Sequence, residues 1–87
     1  MKFEVRFVSQ EHRFSLDVDE ESGRGFVSIP VRNRLVSYCE WYEVDQETFR
    51  GFLEQPMTAL EFVEKARRRE IDHLLLYAPG SDRGEPD

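Results

Sequence analysis

Three stretches of period-two alternation, then a strand of mixed faces and a switch to helical spacing, constrain this 87-residue chain more than any other feature. Phe3, Val5 and Phe7 alternate with Lys2, Glu4 and Arg6. Successive side chains of a strand point to opposite faces, so this pattern predicts a half-buried strand. Phe14, Leu16 and Val18 alternate with Arg13, Ser15 and Asp17, and the polar link Ser9-Gln10-Glu11-His12 predicts a hairpin between the two. Asp19-Glu20-Glu21-Ser22-Gly23-Arg24-Gly25 is a turn-rich acidic loop. Val27, Ile29 and Val31 define a third strand. Pro30 has no backbone donor, which puts that strand at a sheet edge or turns the proline nitrogen outward. Arg32-Asn33-Arg34 suits a tight turn, because Asn tolerates positive φ. Residues 35–44 form the fourth strand.

The period then changes. Asp45 is a candidate N-cap for a helix carrying Phe49, Phe52 and Leu53, which Gly51 weakens and Gln55-Pro56 ends. Thr58 and Glu61 have capping-box spacing, with Met57 and Phe62 placed for a hydrophobic staple. Leu60, Val63 and Ala66 line the apolar side of this second helix, and Glu61–Lys65 and Glu64–Arg68 pair on its wet side. Arg67-Arg68-Arg69 suit the negative end of its dipole. His73-Leu74-Leu75-Leu76-Tyr77 is apolar on every side, as a strand buried on both faces would be, with helix extension to Tyr77 as the competing reading. The expected fold is α+β: a four- or five-stranded, mainly antiparallel sheet with two short helices on one face. Residues 1–80 form a single domain, and the polar residues 81–87 are a flexible tail.

Composition narrows the function classes. Eighteen acids against twelve bases give a net charge of −6, and the only basic run, Arg67 to Arg69, is flanked by Glu64 and Glu70. Nucleic-acid binders need a basic face, so nucleic acid is not the expected partner. One cysteine makes no internal disulfide, and no apolar run approaches the length of a membrane span. A cytoplasmic, membrane-free protein is expected. Glycine-rich phosphate loops, CxxC, HExxH and calcium-loop spacings are all missing, and His12 and His73 lie far apart in the chain. No cofactor or metal is expected. Cys39 inside a strand reads as a small buried hydrophobe, or as a nucleophile only if His73 lay beside it. A domain this small has little room for a pocket that shifts a catalytic pKa, which points away from an enzyme.

The segment Tyr38-Cys39-Glu40-Trp41-Tyr42-Glu43-Val44-Asp45 holds the only Trp and the only Cys. In strand geometry Tyr38, Glu40 and Tyr42 share one face, while Cys39, Trp41 and Glu43 share the other. Neither face is cleanly polar. One reading packs the aromatics at a core rim with wet polar tips. The other makes one face a protein-docking surface, since Tyr and Trp supply interface anchors and carboxylates steer a basic partner. The candidate contact residues are then Asp17, Asp19, Glu20, Glu21, Glu40, Trp41, Tyr42 and Glu43.

In size, charge and the acidic Asp17–Glu21 and Glu40-Trp41-Tyr42-Glu43 segments, the chain resembles the small cytoplasmic immunity proteins that bacteria pair with secreted toxins. That resemblance implies a non-enzymatic inhibitor that occludes the active site of a basic toxin domain. A homodimeric structural or assembly protein, joined through its sheet, is the alternative, and a small enzyme the third reading.

Overall fold

The computed structural model describes residues 1–87 and has the expected α+β architecture. Strands β1 (Phe3–Ser9), β2 (Phe14–Asp19), β3 (Gly25–Arg32) and β4 (Ser37–Val44) form an antiparallel meander in that spatial order. Helices α1 (Gln46–Glu54) and α2 (Leu60–Arg67) follow. Phe49, Phe52, Val63 and Ala66 from the helices join Phe14, Leu16, Val27, Ile29, Val31, Tyr42 and Val44 in one buried core. Those strand residues all lie on one sheet face, so both helices cover that face and leave the other bare.

Local chemistry explains most element boundaries. Asn33 shapes the β3–β4 turn through its side chain, whose Oδ1 accepts the Leu35 and Val36 N–H groups, each at 2.8 Å. The expected positive φ is not used there; it occurs at Arg13, Gly23 and Arg69. Asp45 caps α1 as expected, accepting the Thr48 N–H at 2.9 Å. The expected capping box of α2 does not form. A 3₁₀ turn, Pro56–Ala59, runs directly into the helix, and the Thr58 hydroxyl donates back to the Gln55 carbonyl at 2.6 Å. At the other end, Arg69 takes φ 59°, with Arg69 N–H on the Ala66 carbonyl and Glu70 N–H on the Lys65 carbonyl, each at 3.0 Å. This is a Schellman closure with arginine where glycine is usual. It stops the helix, so residues 71–78 are neither a fifth strand nor a helical extension. They form a 3₁₀ turn, Asp72–Leu74, and then a single bridge from Leu75 to Tyr42 on the outer edge of β4.

Three strand expectations change. A bulge in β1 between Val5 and Phe7 adds one residue, so Phe3 and Val5 face away from Phe7. Val5 and Val8 are each left 57% exposed on the bare side of the sheet. Pro30 lies in an interior strand, because β3 pairs with both β2 and β4. Its pairing with β2 ends at Ser28, and the Pro30 carbonyl instead accepts the Asp87 N–H at 3.0 Å. The proline nitrogen points to that same side, where β2 has run out. There the chain end adds β5 (Glu85–Pro86) against Val31 and Arg32. Residues 81–87, expected to be a flexible tail, are therefore tied to the sheet. The Gly84 N–H also donates to the Tyr38 hydroxyl at 2.7 Å, and the Arg83 side chain is only 12% exposed.

Two glycines separate packing from propensity. A Cβ at Gly25 would overlap the Phe49 ring, whereas one at Gly51, exposed within α1, meets nothing. Gly25→Ala should cost about 2 kcal/mol by overpacking. Gly51→Ala should stabilise by about 0.5–1 kcal/mol through helix propensity. Urea denaturation of both variants checks the opposite signs.

Candidate functional site

Alternation in β4 sends Trp41 and Tyr42 to opposite faces, so they cannot anchor one partner together. Tyr42 is fully buried in the helix-covered core. Its hydroxyl donates to Glu40 at 2.8 Å, and Glu40 is itself only 8% exposed. The cation that balances Glu40 is Arg83. Its Nε donates to Glu40 Oε2 at 2.8 Å and its Nη1 to Asp72 Oδ2 at 2.7 Å. These pairings raise the Arg83 pKa, Asp72 contributing most, and hold Asp72 below its ordinary 3.8. Burial first, then Glu40, pushes the Tyr42 phenol up. Glu40 and Tyr42 are thus interior groups with no surface for a partner.

Trp41 lies on the bare face in an aromatic cluster. Phe3 stacks on it with ring centroids 5.2 Å apart, Phe26 meets Phe3 edge-on at 5.4 Å, and Tyr77 meets Trp41 edge-on at 6.5 Å. The Trp41 Nε1–H donates to Asp17 Oδ2 at 3.0 Å, and the Ser15 hydroxyl donates to Asp17 Oδ1 at 3.1 Å. Ser15 also bonds the Ser28 hydroxyl across the strands. Asp17 is buried beneath this cover, with hydrogen bonds in place of a cation. Asp19 is buried too, because it organises the β2–β3 turn. It accepts the Ser22 hydroxyl at 2.6 Å and the Lys2 and Glu21 N–H groups at 3.2 Å, bonds that lower its pKa, Ser22 foremost. Neither carboxylate is free to meet a partner.

Of the eight candidates, Glu20, Glu21, Trp41 and Glu43 remain accessible in whole or part. The three acids lie towards one end of the sheet, where Glu4, Val18, Gly25 and Val44 sit side by side in register, whereas Trp41 is level with Ser28, Ser15 and Val8. Glu43 is held by Arg24, whose Nε donates to it at 2.9 Å and lowers its pKa. Glu20 is pushed up, chiefly by a hydrogen bond with Glu4, and lies 3.8 Å from Lys2. Glu21 is exposed and has no cation within salt-bridge distance. Sequence reasoning missed Val5, Val8 and Tyr77, which is 63% exposed. Only the bulge reveals Val5, whereas alternation with Phe7 already sends Val8 to the outer face. Tyr77 ends the leucine run, which reads as a buried strand or a helix extension, although Pro79-Gly80 after it marks a loop.

Cys39, expected to be buried, is exposed, because it lies on the face that no helix covers. Partial desolvation and then Asp17 raise its pKa, which weakens it as a nucleophile. His73 lines a different hollow, with Arg24, Glu43 and Asp45. No three His, Cys, Asp or Glu side chains gather as a metal-binding group. Two larger hollows flank the bare face. One of about 630 Å³ lies between β4 and residues 77–82, and one of about 410 Å³ spans Val8, Ser15, Ser28 and Cys39. Comparison with protein-family models, curated proteins and solved structures finds no match for this chain. No helix is long and apolar enough to cross a membrane.

The lowered carboxylates set an acid limit on stability. Asp19, Asp45 and Asp72 sit below 3.8 and Glu43 below 4.5 when folded. Each binds its proton more weakly folded than unfolded, so its contribution is full above the ordinary value and is lost as pH falls through the folded one. The urea midpoint should therefore drop from about pH 5 to about pH 2. Asp72→Asn should flatten part of that slope. An acid limb of unchanged steepness in the variant would contradict the Asp72 assignment.

Proposed function

We propose that this chain is a non-enzymatic protein-binding module that docks a basic partner on its bare sheet face. The partner class that fits best is a toxin domain whose active site is covered, in the manner of a bacterial immunity protein working in the cytoplasm. One observation carries the reading: an uncovered sheet face leaves Val5, Val8 and Tyr77 exposed around a half-buried Trp41. Exposed apolar area ringed by polar groups is a common mark of an interaction site. The acids at one end, Glu20, Glu21 and Glu43, supply charge complementarity to a cationic partner, which acts mainly on the association rate. Trp41 stiffens the face through its hold on Asp17 and Phe3, and the exposed valines and Tyr77 provide the contact. The weakened Cys39 thiol and its separation from the His73 hollow favour binding over catalysis.

The bare face would equally be covered by a second copy of the chain, which keeps a homodimer as the rival reading. The two outer strands bear differently on it. The outer edge of β1 carries Lys2, Glu4 and Arg6 beside a bulge, devices that discourage edge-to-edge pairing, so a dimer would use the face.

Val8→Glu and Tyr77→Ala alter exposed positions and should change folding stability by no more than about 0.5 kcal/mol. Both should abolish capture of a purified basic toxin partner, and Glu20→Gln with Glu21→Gln should slow association at low salt by roughly tenfold. Unchanged capture by folded Val8→Glu would overturn the docking face. Light scattering that shows a stable dimer, broken by Val8→Glu, would favour the rival.

A further inference from the structure

Residues 77–82 are exposed throughout and stand off the outer edge of β4, enclosing the hollow of about 630 Å³ lined by Val36, Cys39, Trp41, Tyr77 and Pro79. The Trp41 carbonyl points outward, where it accepts the Leu76 N–H at 2.9 Å. Strand alternation turns the backbone groups of Ser37 and Cys39 the same way, into a stretch of edge that no strand pairs.

This loop is held at its two ends. At the start, Leu76 bonds to Trp41 and the Tyr77 ring rests edge-on against the indole. At the finish stands Arg83. Besides the two bonds given above, its Nη2 donates to Glu40 Oε1 at 3.1 Å and to Asp72 Oδ1 at 3.0 Å. Both carboxylates are thus gripped by both of their oxygens, the planar geometry that suits guanidinium and not ammonium. Next to Arg83, Asp82 receives only the Asn33 amide on its carbonyl at 3.0 Å and a 3.8 Å ion pair from exposed Arg34. Residues 77–82 therefore have few buried contacts of their own. The chain is gripped again only from Arg83 onward, first by the two carboxylates and then by the Tyr38 hydroxyl on the Gly84 N–H and by β5.

We propose that residues 77–82 form a flap over the free edge of β4 and that Arg83 is its latch. With Arg83 seated, Tyr77 stays against Trp41 and the flap walls off the backbone groups of Ser37 and Cys39. With Arg83 withdrawn, the nearest firm tie moves one residue on, to Gly84 and β5, and residues 77–82 themselves keep only the exposed Asp82 contacts. The flap then loosens, Tyr77 leaves the indole and that edge opens. Arg83 acts here as a positioning residue. The device does not rest on the docking reading, and its test needs no partner.

Trp41 is the only tryptophan and reports the state of the flap in the full-length chain. In Arg83→Ala, acrylamide quenching of Trp41 should rise by roughly twofold, as expected for a segment of low local stability. Millimolar methylguanidinium, which restores the missing planar donor, should bring quenching back towards the wild-type level. Tetramethylammonium at the same concentration should not. Tyr77→Ala should raise quenching without responding to either ion. Wild-type quenching in folded Arg83→Ala would overturn the latch, and so would a rise that methylguanidinium does not reverse. If Arg83→Ala fails to fold, Arg83→Lys decides: it keeps the charge but lacks the fork. Raised quenching in that variant supports the latch, and wild-type quenching refutes it.

Discussion

A sheet has two faces, and this chain has one layer of helix to cover them. That constraint governs the rest of the structure. Helices α1 and α2 bury the face bearing Leu16, Val27, Ile29, Val31 and Tyr42, where nearly all of the continuous apolar core lies. The other face must manage without a second layer. It does so with a thin cover of aromatic rings over hydrogen-bonded polar groups: Phe3 and Trp41 stack above Phe26, while Asp17 is satisfied by Trp41 and Ser15. Such a face is stable in water but not fully dry.

The polar interior at the other side of β4 follows a different logic. Glu40, Tyr42 and Asp72 converge on one guanidinium from the C-terminal segment. Burying a carboxylate is costly unless it is paired and hydrogen-bonded, and Arg83 meets both needs at once. Its net gain in stability is small, because a hydrophobic replacement of similar volume would also fill the space. It also makes the chain end part of the fold. β5, the Gly84 contact with Tyr38 and the Asp87 bond to Pro30 all depend on the same segment being in place.

Much of the architecture was legible because it is local. The hairpin of β1 and β2, the third and fourth strands and the Asp45 cap each follow from spacing or one side chain. The errors fall where a distant contact intervened. The β1 bulge re-aims Val5 against β2, and no feature of residues 2–8 alone calls for it. Pro30 is tolerated in an interior strand because β2 ends early and β5 takes its place. The leucine run of residues 74–76 is split between the β4 edge and a loop once Arg69 closes α2. At the candidate site, Asp17 bonds to Trp41, and Arg24, which no sequence argument singled out, holds Glu43. Exposure was not legible, because Asp17, Asp19, Glu40 and Tyr42 are consumed by internal bonds that depend on distant strands.

The sequence by itself determined which side chains share a face in β2, β3 and β4, where strand gives way to helix, and that the fold is α+β. These are consequences of backbone geometry, which repeats every two residues in a strand and every 3.6 in a helix. Only the tertiary structure decided which face the helices cover, and therefore that Tyr42 is core while Trp41 and Cys39 look outward. It alone matched Arg83 to Glu40 and Asp72 across 43 and 11 residues of chain. Alternation separates the two faces of a strand but is symmetric between them, and that symmetry is broken only when the helices and the chain end fold back onto the sheet.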